Sequence, residues 1–207
     1  MEAELKTEIE EICSWLGTGS INIFGMPFSG KDTHGHELAR FFDARFISSG
    51  DILRSPASPA HVQQHIAKGH LAPTDEFINI VLPFLSQKEL VKHPLILSSV
   101  GRWHGEEPSV LLAAKESGHA IKAVIYLDIS ETEAIRRWEA AERGREDDAA
   151  KHILLNRFNE FKIKTAPVVD HYRKLGLLIE IDGMPPKKVV TKDIVSKLSE
   201  LSKTHKL

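Results

Sequence analysis

One cysteine, Cys13, stands in a chain of 207 residues. Neither a disulfide framework nor a cysteine-built zinc site can be assembled from it, and the expected compartment is a reducing cytoplasm. Charge of one sign is equally scarce: 27 Lys and Arg face 29 Asp and Glu, a formal balance of −2. That near-neutrality gives no reason to invoke nucleic acid or an anionic membrane as a partner, so any anionic ligand must meet a local basic site. Long apolar runs are missing too, since none approaches the roughly 18–20 residues that span a bilayer. The opening MEAELKTEIEEICSWL is acidic and helical in period, unlike a secretory signal, and the closing KTHKL matches no address signal. There is no internal repeat and no low-complexity linker. What is present is 42% hydrophobic and 27% charged residues, enough apolar matter for a sizeable core and too little polarity for wholesale disorder. The length suits one compact domain with small inserted pieces, or at most two.

Short β-like runs alternate with longer helical ones. Strands are expected at 20–25, 45–48, 94–99, 121–127 and 176–182. Helices are expected at 31–43, 59–68, 74–88, 130–142, 148–173 and 186–203, with Pro73 opening the third. The segment 1–17 has an apolar face suited to docking on the core or on a partner subunit. Alternation of this kind implies parallel strands joined by helical crossovers. Ligands of such sheets bind beyond the carboxyl ends of the strands, which directs attention to 25–33, 48–54, 98–106 and 137–148.

The first strand runs directly into Gly25-Met26-Pro27-Phe28-Ser29-Gly30-Lys31-Asp32-Thr33. A glycine-bearing turn between strand and helix gathers backbone N–H groups at one spot, and the helix N-terminus adds partial positive charge. Gly25 and Gly30 permit the tight backbone, while Lys31 supplies a full charge for terminal phosphates. Pro27, Ser29 and Asp32 complete the loop, and Thr33 is placed to ligate Mg²⁺ through its hydroxyl. The strict phosphate-loop pattern has Ser or Thr directly after the lysine; here Asp32 holds that place.

That offset resembles the adenylate kinase and nucleoside monophosphate kinase family, whose loop reads G-x-P-G-x-G-K-G-T. The resemblance runs roughly from residue 20 to 183. Phe46-Ile-Ser-Ser-Gly-Asp-Ile-Leu-Arg54 is similar to I-S-T-G-D-x-L-R, and Lys68-Gly69-His70-Leu71-Ala72-Pro73 to a G-x-L-V-P turn. Arg157-Phe-Asn-Glu-Phe161, Thr165-Ala-Pro167 and His171-Tyr172 are similar to R-L-x-x-Y, T-x-P and Y-Y, and Ile181-Asp182-Gly183 to a closing I-D-G. The resemblance implies a three-layer α/β P-loop kinase fold on a five-stranded parallel sheet. Within it, residues 1–17 form an N-terminal helical extension and 18–207 the kinase-like domain. A helical part that binds the monophosphate lies near 49–78, and a short lid without structural zinc near 138–149. Monomer and homodimer both stay open.

The activity implied is transfer of the γ-phosphoryl group of ATP, with Mg²⁺, to a nucleoside monophosphate, AMP by default. The acceptor is already an oxyanion, so the task is to hold two polyanions in line and neutralise developing charge. Arginine forks suit it. By resemblance, Lys31 contacts the donor phosphates, Arg54 and Arg102 hold the acceptor phosphate, and Arg137 serves the donor side. Arg145 and Arg157 clamp the transferring group, Ser49 lies at the acceptor nucleotide, and Asp148 ties the lid. Arg143 competes with Arg145 for its role.

Five positions depart from the family pattern. Phe28 and Asp32 replace loop glycines, and Asp32 either repels bound phosphate or points outward from the helix start. Ser98 replaces the Asp that positions Mg²⁺ through water, Ala141 replaces a donor-side arginine, and Glu106 replaces the Gln that reads the base. Glu106 either accepts from an exocyclic amine or is an exposed glutamate at a helix start. His61 and His65 share the i, i+4 spacing of a metal pair but lack a third ligand nearby. Trp15, Trp103 and Trp138 suit core or rim packing, and Trp103 and Trp138, which flank expected phosphate arginines, are alternatively placed to stack on a base. The losses at Ser98 and Ala141 motivate two alternatives: a nucleotide-binding module with little kinase activity, and a P-loop kinase for another small molecule.

Overall fold

The computed structural model describes residues 2–141 and 150–204. The positions 143, 145 and 148, and most of the expected lid, lie outside the described residues. Five strands form the sheet: β1 (Ser20–Gly25), β2 (Arg45–Ser48), β3 (Leu95–Ser98), β4 (Ile121–Asp128) and β5 (Leu178–Asp182). Their order is β2-β3-β1-β4-β5, and every pairing is parallel. β1 is buried along its whole length, as a strand covered on both faces must be. The chain steps to one side of β1 for β2 and β3 and to the other for β4 and β5. The crevice at the carboxyl ends of β1 and β3 is therefore a topological switch point.

Strand alternation divides the core between two helical layers. Ile21, Ile23, Ile125 and Leu127 face α1 (Glu2–Leu16), α2 (Lys31–Phe41) and α10 (Lys187–Thr204). Ile12 and Leu16 of α1 are fully buried there, so the N-terminal helix docks on the chain's own core. Phe24, Leu95, Leu97 and Val124 face the other layer. That layer holds α3 (Ser49–Arg54), α4 (Ala60–Ala67), α5 (Thr74–Ile80), α6 (Glu107–Glu116) and α9 (Ala166–Lys174). A smaller cluster of Met26, Phe28, Ile129, Ala134, Leu154, Phe158 and Phe161 lies beneath the phosphate loop, where α7 (Glu131–Glu139) and α8 (Lys151–Glu160) meet it.

Several elements differ from the sequence pattern. The expected helix 74–88 breaks at Ile80 into a 3₁₀ segment, Leu82–Ser86, because Pro83 has no N–H to continue the α ladder. The expected helix 148–173 is interrupted by a π turn, Phe161–Thr165, ahead of Pro167. The stretch between 99 and 121, to which the pattern assigns no element, holds α6, and the segment after β2 coils into α3. No helix among the described residues is long and apolar enough to cross a membrane.

Candidate active site

The loop after β1 is built as its residue types require. A Cβ on Gly25 would stand 2.4 Å from Ser29 Oγ and 3.0 Å from the carbonyl oxygen of Leu127, so only glycine fits. Gly30 caps α2 with φ +94°, a conformation L side chains rarely adopt. Phe28 takes φ +67° as well, and its ring is 4% exposed within the cluster under the loop. Arg137 braces the loop from behind: its Nη1 donates to the carbonyl of Ser29 at 3.3 Å and its Nη2 to that of Gly183 at 2.7 Å. Its Nε donates to Glu133 at 2.7 Å. Hydrogen bonds from Arg136 and Arg137 pull the Glu133 carboxyl down to about 2.

One cavity of about 990 Å³, its open mouth included, lies beyond the carboxyl ends of β1, β2 and β3. Gly25, Pro27, Lys31 and Asp32 line it from the loop, Ser49 and Arg54 from α3, Arg102 and Glu106 from the segment before α6, and Arg157 from α8. These nine sequence-selected residues therefore share one cavity. Ser29, Gly30, Thr33 and Arg137 are not among its lining residues. Thr33 is exposed on the first turn of α2, and Ser29 is folded back over Gly25 with its hydroxyl buried and unpartnered.

The arginines are held by neighbours. Arg54 Nη2 donates to Asp51 at 2.7 Å, and Arg102 Nε donates to the carbonyl of Ser99 at 3.3 Å. Arg157 lies 5.9 Å from the centroid of the Phe28 ring. Ser48 caps α3 by accepting from the Asp51 N–H, and Ser49 Oγ donates to the carbonyl of Ser99 at 2.7 Å. The carboxamide of buried Asn22 ties the same exit loop: its Nδ2 donates to the Val100 carbonyl, while its Oδ1 accepts from the Val100 N–H. The loop that carries Arg102 is thus fixed from β1 and from α3.

Glu106 begins α6, yet it is 2% exposed, which excludes the exposed helix-start placement. Its Oε2 accepts from the backbone N–H groups of Arg102 at 2.8 Å and Trp103 at 3.0 Å. Its Oε1 is buried without a well-formed hydrogen bond, although the Thr74 side chain approaches the carboxylate. Burial pushes the Glu106 carboxyl up, against the opposing pull of the backbone donors and Thr74. Asp32 does not point outward: Ser98 Oγ donates to its Oδ1 at 2.6 Å.

The sequence patterns missed one polar group at this site. Glu160 is 8% exposed. It accepts from the Leu71 N–H at 3.1 Å and from Lys164 Nζ at 2.6 Å, with His70 Nδ1 at 3.4 Å. Burial raises its pKa, but Lys164, Leu71 and His70 together outweigh that and hold it below the usual carboxylate value. The π turn that follows lets Thr165 Oγ1 donate to the Arg102 carbonyl at 3.1 Å and sets Phe161 on the cavity wall. Trp103 also lines the cavity, with Lys164 Nζ 3.8 Å from its ring centroid. His61 pairs with Glu76 at 2.7 Å, and no metal-holding cluster of three or more His, Cys, Asp or Glu occurs among the described residues.

Residues 23–177 match the adenylate kinase family. The chain is 30% identical over 169 residues to an adenylate kinase of Clavibacter michiganensis, covering 78% of this chain and 84% of that one. It is 29% identical over 210 residues to an adenylate kinase of Dehalococcoides mccartyi, covering 86% and 96%. A solved gluconokinase from Sinorhizobium meliloti superposes with a TM-score of 0.64 at 16% identity, over 90% of this chain and 94% of that chain, which is a likeness of fold. The span of the match, together with a phosphate-type loop opening onto a cavity at the switch point of a five-stranded parallel sheet, establishes that the chain belongs to the adenylate kinase family of phosphotransferases, the nucleotide kinases.

Proposed function

We propose that this chain transfers the γ-phosphoryl group of ATP to a nucleoside monophosphate, with AMP as the default acceptor. The observation that carries the proposal is a single cavity walled by the phosphate loop on one side and by α3 and the α6 entry loop on the other. A donor tail and an acceptor phosphate bound there face one another without intervening protein. Lys31 takes the terminal donor phosphates. Arg54 and Arg102 hold the acceptor phosphate, and Arg157, with Arg145, neutralises the group in flight. Each guanidinium can bind two phosphate oxygens in a fixed plane, so in-line geometry is held before reaction begins.

Leu53, Ile66, Phe77 and Trp103 give the acceptor side an apolar wall for a base. Ser49 and Glu106 act largely through structure, fixing the Ser99 and Arg102–Trp103 backbone. Arg137 is a positioning residue, since its donors are directed at loop carbonyls. Mg²⁺ fits the site by donor chemistry, because Asp32 brings a hard carboxylate to the cavity wall beside Lys31. It would partly neutralise the polyphosphate.

Incubation with ATP, Mg²⁺ and each nucleoside monophosphate in turn, and with gluconate as a non-nucleotide acceptor, tests the proposal. Diphosphate is expected from at least one monophosphate. Lys31→Ala and Arg102→Ala should each lower kcat/KM by about 10²-fold or more. ATP binding with no product from any monophosphate would favour a binding module, and product from gluconate alone would overturn the acceptor class.

A further inference from the structure

Lys164 is not among the residues that line the cavity, yet it holds two of its walls. Its ammonium lies 3.8 Å from the centroid of the Trp103 ring and 2.6 Å from Glu160 Oε2. The first distance is well within the roughly 6 Å over which a cation is attracted to an aromatic face. Trp103 lines the cavity, so the ammonium covers part of the indole from behind and leaves the rest to a ligand. The second wall is reached through Glu160, which accepts from the Leu71 N–H at 3.1 Å, with His70 Nδ1 at 3.4 Å. Leu71 and His70 both line the cavity.

Glu160 and Lys164 are four residues apart, and an exposed ion pair at that spacing on a helix is worth little. This pair is not exposed: the two side chains retain 10% and 22% of their accessible surface. The indole supplies the second argument. Its Nε1–H is buried without a hydrogen-bond partner, so no hydrogen bond sets the angle of the ring. The Trp103 backbone is fixed, because Glu106 Oε2 accepts from its N–H at 3.0 Å and Thr165 Oγ1 donates to the adjacent Arg102 carbonyl at 3.1 Å. What orients the ring itself, beside packing, is the ammonium on its face. Lys164 and Thr165 both belong to the π turn, Phe161–Thr165, and both reach residues 102–103.

We infer that Lys164 is a positioning residue for the acceptor half of the cavity, and that the Trp103 indole it orients selects an acceptor carrying an aromatic base. This inference rests on the nucleoside monophosphate reading of the cavity and deepens it by naming the side chain that determines specificity. Trp103 directly follows Arg102, so the fork that holds the acceptor phosphate and the flat surface that meets the base come from adjacent residues. Leu53, Ile66 and Phe77 complete the apolar wall. An acceptor without a base, such as a sugar phosphate, can use the fork but gains nothing from the indole.

The test compares the wild type with Lys164→Met, Lys164→Arg, Trp103→Leu and the double variant Lys164→Met/Trp103→Leu, each shown to be folded by thermal melts. Methionine keeps a flexible apolar stem and removes the charge. The acceptor used is whichever of AMP, CMP, GMP and UMP turns over best, AMP by default. Lys164→Met should raise its KM by about three- to tenfold, with kcat and the KM for ATP within about twofold of wild type. Lys164→Arg, whose guanidinium also stacks on aromatic faces, should recover most of that loss. Trp103→Leu should raise the acceptor KM by about tenfold or more, while ribose phosphate, which lacks a base, should inhibit it and the wild type equally. Adding Lys164→Met to Trp103→Leu should cost less than about twofold more, because the ring is already gone. In protein labelled with fluorotryptophan, the Trp103 fluorine resonance, assigned by its loss in Trp103→Leu, should shift on adding the acceptor, and should shift in Lys164→Met without it. Full additivity in the double variant, an equal rise in the KM for ATP, or an unmoved Trp103 resonance in Lys164→Met would overturn the inference and leave the acceptor class standing. No turnover of any of the four monophosphates by the wild type, and no Trp103 shift with any of them, would overturn it together with the nucleoside monophosphate reading.

Discussion

Phe28 occupies a backbone conformation, φ +67°, that favours glycine, and its ring is what holds it there. Left-handed backbone costs an ordinary residue about 1–2 kcal/mol, whereas removing a buried phenylalanine ring costs about 3–5 kcal/mol. The ring wins, so Phe28→Gly should lower stability by a net amount of about 1–4 kcal/mol, as denaturant unfolding would show. Arg157, stacked near that ring, should lose orientation, and KM for the acceptor should rise. Glu106 is a second case in which the environment decides the role. Glu106→Ala would leave the Arg102 and Trp103 N–H groups without their acceptor, at about 1–3 kcal/mol, and would raise KM more than it lowers kcat. Glu106→Gln keeps an acceptor for both and should be much milder in the same assay. That Lys31, Arg54 and Arg102 would line one cavity was legible because a loop motif and strand ends mark their places. The direction of Asp32 was not, since an acid at a helix start satisfies the helix dipole whether it points inward or outward.

At the scale of elements, the acceptor side is tied to α8 through Glu160. Its carboxylate joins the 68–73 loop, by way of Leu71 and His70, to Lys164 on the π turn. A lone glutamate in a helical stretch reads as solvated, and a π turn has no sequence signature of its own, so neither could be seen in the pattern. Thr165 and Phe161 reach Arg102 and the cavity only because the turn shifts the helical frame. The Glu160 carboxyl is held below its ordinary value. Its contribution to stability is therefore present above the unfolded carboxylate pKa and is lost as pH falls through the folded one. Glu160→Gln should flatten the acid limb of a melting-temperature profile while leaving the neutral-to-alkaline limb parallel to wild type. An acid limb of unchanged slope would count against the tie.

Across the whole molecule, the alternation of strand and helix was enough to foresee five parallel strands and a site at their carboxyl ends. The order β2-β3-β1-β4-β5 then explains why that site spans two walls. Of α6 only a helix start at Glu106 was foreseen, not its extent, because Glu-Pro-Ser after an irregular loop carries no side-chain cap. α1 buries Ile12 and Leu16 on the chain's own sheet layer, beside α10, where Lys203 pairs with Glu11 at 3.2 Å. Ile12→Ala should cost about 2–5 kcal/mol in denaturant unfolding, with no change of oligomeric state by sedimentation.

The account turns on one cavity receiving donor and acceptor phosphates together. The most direct measurement is calorimetric titration with a molecule in which two nucleosides are joined through a polyphosphate chain, compared with ATP alone. Linking the two halves turns the second binding event into an intramolecular one. Binding of one such molecule per chain is predicted, at least about tenfold tighter than ATP and weakened in Arg102→Ala and Arg157→Ala. Affinity no greater than that for ATP, or indifference to both arginine substitutions, would contradict it.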